Sequence, residues 1–412
     1  MNINYKRLKL ACYSGNITMA VVGALSPLLF LTFRSTYGIS YSLLGLLVLV
    51  NFSTQLGIDL VFSFFSHKFN IPKTVKLMPL IALIGFLIYA IWPYFMPDSA
   101  YVGILIGTIL FSASSGLAEV LLSPIIAEIP AENPDREMSK LHSVFAWGAV
   151  AVVIFGTLFL YVFGLENWQY LTLIYTIIPL SCFLLFRTRD IPPMKTPEKT
   201  SGAINFVKNK GVWLCVAGIF FGGASECTMS QWSSSYLEQA LGIPKIWGDI
   251  FGVALFSVML GMGRTLYTKY GKNIEKVLLM GAAGAVLCYL ITAISPIPWL
   301  GLFCSAFTGF CVSMLWPGSL VVASDRFPQG GVMIFALMAA GGDFGASVGP
   351  QLVGVITDMA MENEAIVSLA QNMGFMPEQM GMKLGMLVGM LFPICGTIVF
   401  ARILKTRNVS EK

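Results

Sequence analysis

From Arg187 to Lys210 the chain reads RTRDIPPMKTPEKTSGAINFVKNK, a long polar, basic and proline-containing stretch set between apolar runs. A helix that crosses the hydrocarbon layer of a bilayer needs about 20 apolar residues. Moving outward toward the N-terminus, such windows fall near 168–186, 140–163, 101–128, 73–95, 41–65 and 10–33. Toward the C-terminus they fall near 211–236, 246–268, 275–294, 298–324, 330–357 and 383–404. The polar stretch therefore divides twelve expected spans six and six. The expected fold class is an all-α membrane protein, with an N-terminal six-helix half over 1–186, a cytoplasmic linker over 187–210 and a C-terminal six-helix half over 211–412.

Composition points the same way. Of 412 residues, 56% are hydrophobic and 11% charged, against roughly 25% charged in a soluble domain, and no aqueous fold hides that much apolar side chain. Lys6, Arg7 and Lys9 precede an apolar run that has no small-residue cleavage site, which reads as a retained first helix rather than a removed signal. With the N-terminus inside, the external connections hold only Arg34, Lys245 and Lys383 of the 26 Lys and Arg residues. The bias of basic residues to the cytoplasmic side then predicts both termini inside and a multi-pass protein of the inner or plasma membrane.

Several reaction classes find no support. The two histidines are His67 and His142, and the eight cysteines show no CxxC or Cys/His ligand spacing, so neither a metal site nor a disulfide framework is expected. There is no Ser/His/Asp set, phosphate loop or nucleotide fingerprint, which argues against an enzyme, a cofactor or a nucleic-acid partner.

Internal repetition supports two halves. The run Ser63-Phe-Phe-Ser-His-Lys-Phe-Asn after span two answers Arg264-Thr-Leu-Tyr-Thr-Lys-Tyr-Gly after span eight; Gly38-Ile39 answers Gly242-Ile243; Pro124 in span four answers Pro317 in span ten. This pattern resembles the major facilitator superfamily. That resemblance implies two pseudo-symmetric six-helix halves working by alternating access, one such unit being functional as a monomer. The superfamily's Gly-x-x-x-Asp-Arg-x-Gly-Arg signature is degenerate here, its positions reading Ser63, His67, Lys68, Asn70 and Ile71.

An ionisable side chain inside the membrane needs a partner, water or a proton, so intramembrane acids are informative. Glu119 lies in SSGLAEVLLSPIIAEIP, five residues before Pro124; Glu226 lies in GIFFGGASECTMSQWSSSYLEQALG; Asp343 lies in MAAGGDFGASVGPQLVG. A carboxylate, an amide and an indole suit a polyol, because hydroxyls need acceptors and donors while a sugar face stacks on an aromatic. Glu119, Glu226, Gln231 and Trp232 are therefore the leading substrate-binding residues. His142, Asn51 and Gln55 are further candidates, the last two one turn apart on one helical face. Glu119, Glu226 and Asp343 are the candidates for proton coupling. For each, a plain interhelical hydrogen bond is the competing reading; gating or snorkelling accounts for Asp59 and Arg264.

The Glu119 to Pro124 element, with Gly223, Glu226 and Trp232, resembles the L-fucose:proton symporter (sugar permease) family. The stretch around His142 looks like one in some sugar-transporting relatives. That likeness implies a sugar substrate with proton symport across the inner membrane. Gly23 stands where that family keeps a span-one carboxylate, so its proton role does not carry over to this chain. The expected function is thus secondary active transport of a small polar solute, with sugar and proton as partners; the alternative is a proton-coupled exporter of lipophilic compounds or drugs.

Overall fold

Inside a bilayer every backbone amide must be satisfied within its own segment, which leaves helices as the form available to these apolar runs. The computed structural model describes residues 5–65, 68–130, 134–187, 191–192, 209–327 and 331–410, and they are helical almost throughout. In chain order the helices are α1 (Tyr5–Tyr37), α2 (Tyr41–Phe65), α3 (Ile71–Phe95), α4 (Ala100–Ala127), α5 (Pro134–Phe163), α6 (Trp168–Tyr175), α7 (Ile177–Arg187) and α8 (Lys210–Leu241). They continue as α9 (Leu255–Tyr270), α10 (Ile274–Ile294), α11 (Pro298–Val312), α12 (Leu315–Arg326), α13 (Gly331–Glu362), α14 (Glu364–Asn372), α15 (Pro377–Gly389) and α16 (Leu391–Ser410). Among the described residues, eleven helical segments are long and apolar enough to cross a membrane. The 32-residue α13 occupies the remaining window. Most of the expected linker lies outside the described residues, as does His67.

Among the described residues, three spans are built from two helices each, and in all three the second helix carries a proline in its first turn. Pro179, Pro317 and Pro393 sit in the first turns of α7, α12 and α16. A proline has no N–H for the carbonyl four residues back, and its ring crowds that carbonyl, so the preceding helix ends there. Pro27, Pro124 and Pro350 are instead accommodated inside unbroken helices. The span leading into α9 opens with a π-helical stretch, Gly248–Ala254. Its fully buried Asp249 accepts from Ser234 and pairs with Lys245 at 3.4 Å. The helix α14 has only nine residues, capped by Asn363 Oδ1 accepting from Ala365 N at 3.0 Å, and is too short to span.

The chain divides into two compact units, residues 1–39 with 53–198 and residues 40–52 with 199–412. In the first, a core of Leu8, Cys12, Met78, Leu121, Ile125 and Phe186 joins α1, α3, α4 and α7. Polar ties add specificity where lipid offers no hydrophobic drive between helices. Asn16 Nδ2 donates to Leu141 O at 2.9 Å, and Ser26 and Tyr89 share a hydrogen bond of 2.9 Å. Outside the spans, Glu137 meets Lys9 at 2.8 Å and Lys140 at 2.7 Å. Hydrogen bonds from Lys140 and then Lys9 hold its carboxyl down at about 2, below the usual carboxylate range.

In the second unit the start of α2 is fastened by acidic side chains from two helices, one of them held in turn by a third. Asp358 on α13 accepts from Tyr41 N at 3.1 Å and Ser42 N at 2.6 Å, capping the exposed amides of α2. Tyr41 Oη donates to Glu378 Oε1 at 2.8 Å, and Gln239 Nε2 donates to Glu378 Oε2 at 2.6 Å.

Candidate functional site

The three acids singled out from the sequence, Glu119, Glu226 and Asp343, fall into two settings, one in each unit. In the first unit α2 crosses α4 closely. A Cβ on Gly116 would lie 3.1 Å from Gln55 Cα and 3.1 Å from Ile58 Cβ, so a larger residue would crowd this crossing. The close approach lets Ser115 Oγ donate to Gln55 Oε1 at 3.0 Å. One turn along both helices, Asp59 and Glu119 come within electrostatic range of each other. Asp59 Oδ1 is buried with no hydrogen-bond partner among the described residues. The Glu119 side chain is exposed, with Ser123 half-buried one turn on, so the acid sits on an accessible face of a mid-membrane helix. Asp59, which the sequence assigns to gating or snorkelling, is thus placed opposite Glu119.

In the second unit Glu226 stands at the middle of α8, half-buried. Arg264 on α9 reaches it, with Nη2 3.7 Å from Glu226 Oε1. Arg264 Nε also donates to Ser313 O at 3.1 Å. Glu226 Oε2 is buried and has no hydrogen-bond partner among the described residues. Cys227 lies within electrostatic range of both Glu226 and Asp343, which brings the α13 acid into the same neighbourhood. Asp343 itself is buried. Trp316, half-buried on α12, covers the point where Gly223 and Gly342 bring α8 and α13 together. Gly223 is three residues before Glu226 and so shares its helical face.

The other expected residues are placed differently. Trp232 is fully buried, its Nε1 donating to Pro350 O at 2.8 Å and its ring 5.9 Å from that of Tyr41. Both its ring and its N–H are thereby engaged in packing. Gln231, Asn51 and Gln55 are buried, Gln55 Oε1 accepts from Ser115, and His142 is exposed on α5. Arg264 and Ser313 are the residues that sequence reasoning missed or undervalued. A signal existed: Pro317 has no N–H to offer the carbonyl of Ser313, which is left as a mid-membrane acceptor. Among the described residues, no group of three or more His, Cys, Asp or Glu side chains is arranged to hold a metal ion.

Solved structures with this fold are numerous. A bacterial homologue of the human lysosomal transporter Spinster, inward-facing and occupied, superposes with a TM-score of 0.74 at 13% identity, covering 98% of this chain and 97% of its own. A D-xylose–proton symporter gives 0.71 at 16% identity, covering 94% and 97%. The E. coli fucose:proton symporter gives 0.60 at 14% identity, covering 96% and 98%, and is one such likeness among several. At these identities the likenesses show the fold alone. No curated protein matches the chain. The model of the Major Facilitator Superfamily matches residues 11–350, and the chain belongs to that superfamily: it is a membrane transporter, not an enzyme.

Proposed function

We propose that this transporter moves a sugar or similar polyol together with a proton, by alternating access, as the fucose-permease-like elements at Glu119 and Glu226 suggest. The observation that carries the reading is the setting of Glu226. A mid-helix carboxylate stands beside a guanidinium and near an indole, with one oxygen lacking a partner among the described residues. Hydroxyl groups supply the donors such an oxygen needs, and a sugar ring supplies a face for an aromatic. Trp316 takes the stacking role here, since the ring of Trp232 is packed away.

The two acids divide the work. Glu226 has Arg264 to balance its charge, whereas the charged neighbour found for Glu119 is another acid, Asp59. A proton is the counter-charge that suits Glu119, and we assign the coupling step to it rather than to Glu226 or Asp343. Reconstituted into proteoliposomes, the wild-type chain is expected to exchange a sugar in counterflow and to accumulate it when an inward proton gradient is imposed. Glu119→Gln should retain exchange and lose gradient-driven accumulation. Accumulation that survives this substitution would overturn the coupling assignment. Exchange of peptides or lipophilic drugs with no sugar moving would overturn the substrate class and favour the exporter reading.

A further inference from the structure

Arg264 lies six residues from the end of α9, about 9 Å at 1.5 Å per residue. A basic residue so placed ordinarily snorkels to the nearer interface. This one is instead engaged by residues of other helices. It finds Glu226, which lies sixteen residues after the start of α8 and fifteen before its end. Two features hold it there. Pro317 releases the Ser313 carbonyl that accepts from Arg264 Nε at 3.1 Å. Gly263 lets α9 pass close to the α11–α12 break, since a Cβ at that position would lie 2.8 Å from Ser313 Cβ.

Arg264 also faces away from the lipid-type stripe of its helix. Ser257, Gly261 and Arg264 follow one another at helical spacing, while Val258, Met262 and Leu266, all exposed, form the neighbouring apolar stripe. The Arg264 side chain is nevertheless 44% accessible. Its separation of 3.7 Å from Glu226 is longer than the about 2.7–3.2 Å of an N–H···O hydrogen bond. The pair is therefore assembled but not closed.

We propose that Arg264 is a substrate-contacting, specificity-determining residue, forming with Glu226 a donor–acceptor pair that takes adjacent hydroxyls of an uncharged polyol. One hydroxyl donates to the Glu226 carboxylate, and its neighbour accepts from the guanidinium. Charge selects the class of ligand. Glu226 and Arg264 cancel, so neither an anionic nor a cationic sugar finds a net complementary charge at the pair. A cationic sugar competes with Arg264 for Glu226. This inference rests on the polyol reading above.

The test is counterflow by the full chain in proteoliposomes, using neutral hexoses, pentoses and hexitols as substrates and the matching uronates and amino sugars as competitors. For the polyol that wild type exchanges, Arg264→Lys is expected to raise the half-saturating concentration by about tenfold or more, because an ammonium keeps the charge but loses the planar fork. Neutral polyols should compete best. The double variant Glu226→Gln with Arg264→Gln leaves no lone charge, so it should keep its thermal transition and lose exchange. The inference is overturned if both Arg264→Lys and the double variant exchange that polyol within about twofold of wild type, or if uronates or amino sugars outcompete the neutral compounds. If wild type exchanges no polyol at all, the substrate reading falls and takes this inference with it; that outcome is read from the wild-type arm alone.

Discussion

At the scale of single residues, the residue type announces that a position is special but not how it is used. Glu119 and Glu226 are both acids within apolar helices, and both are legible as such. What differs is the neighbour: Asp59 for one, Arg264 for the other. Trp232 is the reverse case. An indole six residues after Glu226 reads as a stacking platform, yet its surface is fully buried and its N–H reaches Pro350 O at 2.8 Å. Trp232→Phe should therefore cost about 1 kcal/mol of stability, the worth of one hydrogen bond, and leave the half-saturating sugar concentration unchanged. Thermal unfolding in detergent checks the first outcome and counterflow the second. A large loss of sugar affinity with unaltered unfolding would restore Trp232 to the site.

At the scale of elements, hydrophobic windows located the helices well because span length is a local property of the chain. The breaks were less legible. Pro124 and Pro317 occupy answering positions in the two halves, yet α4 runs through its proline whereas the other span splits into α11 and α12. The carbonyl that Pro317 releases finds a partner elsewhere in the fold. Arg264, a residue on a different helix, donates to that Ser313 carbonyl. The start of α2 makes a similar point. Its first amides are capped not by a neighbour in sequence but by Asp358, through Tyr41 N and Ser42 N. Removing a helix cap costs roughly 1–2 kcal/mol, so Asp358→Ala should lower the unfolding midpoint measurably. Asp358→Asn, which keeps an acceptor, should recover part of the loss. Equal midpoints for wild type and Asp358→Ala would show that the cap contributes nothing.

At the scale of the whole molecule, the arrangement of Lys and Arg predicts that both termini face the cytoplasm. Reporter fusions give a direct reading. A fluorescent protein that folds only in the cytoplasm should be bright at either terminus. Alkaline phosphatase, active only outside, should be active when fused in the Gly242–Pro244 connection. A dark C-terminal fusion would mean an odd number of crossings and would break the division into six and six. The exposed apolar side chains on every span, among them Leu158, Leu184, Leu287 and Ile398, are what a lipid solvent requires.

The sequence by itself determined that the chain is a helical membrane protein, where its spans lie, and that acids at 119, 226 and 343 are out of place in lipid; it predicts two repeated halves. Each of these depends on composition or spacing along the chain. The tertiary structure decided how the helices are rotated, and hence that Glu226 meets Arg264, that Gln55 meets Ser115, and that Trp316 rather than Trp232 lies half-buried over the Gly223–Gly342 crossing. The reason is physical. A helix in water declares its inner face by an apolar stripe, but in a bilayer the lipid-facing and the packed faces are both apolar. Rotation is then set by small residues and a few polar contacts between distant segments, and only the folded molecule brings those together.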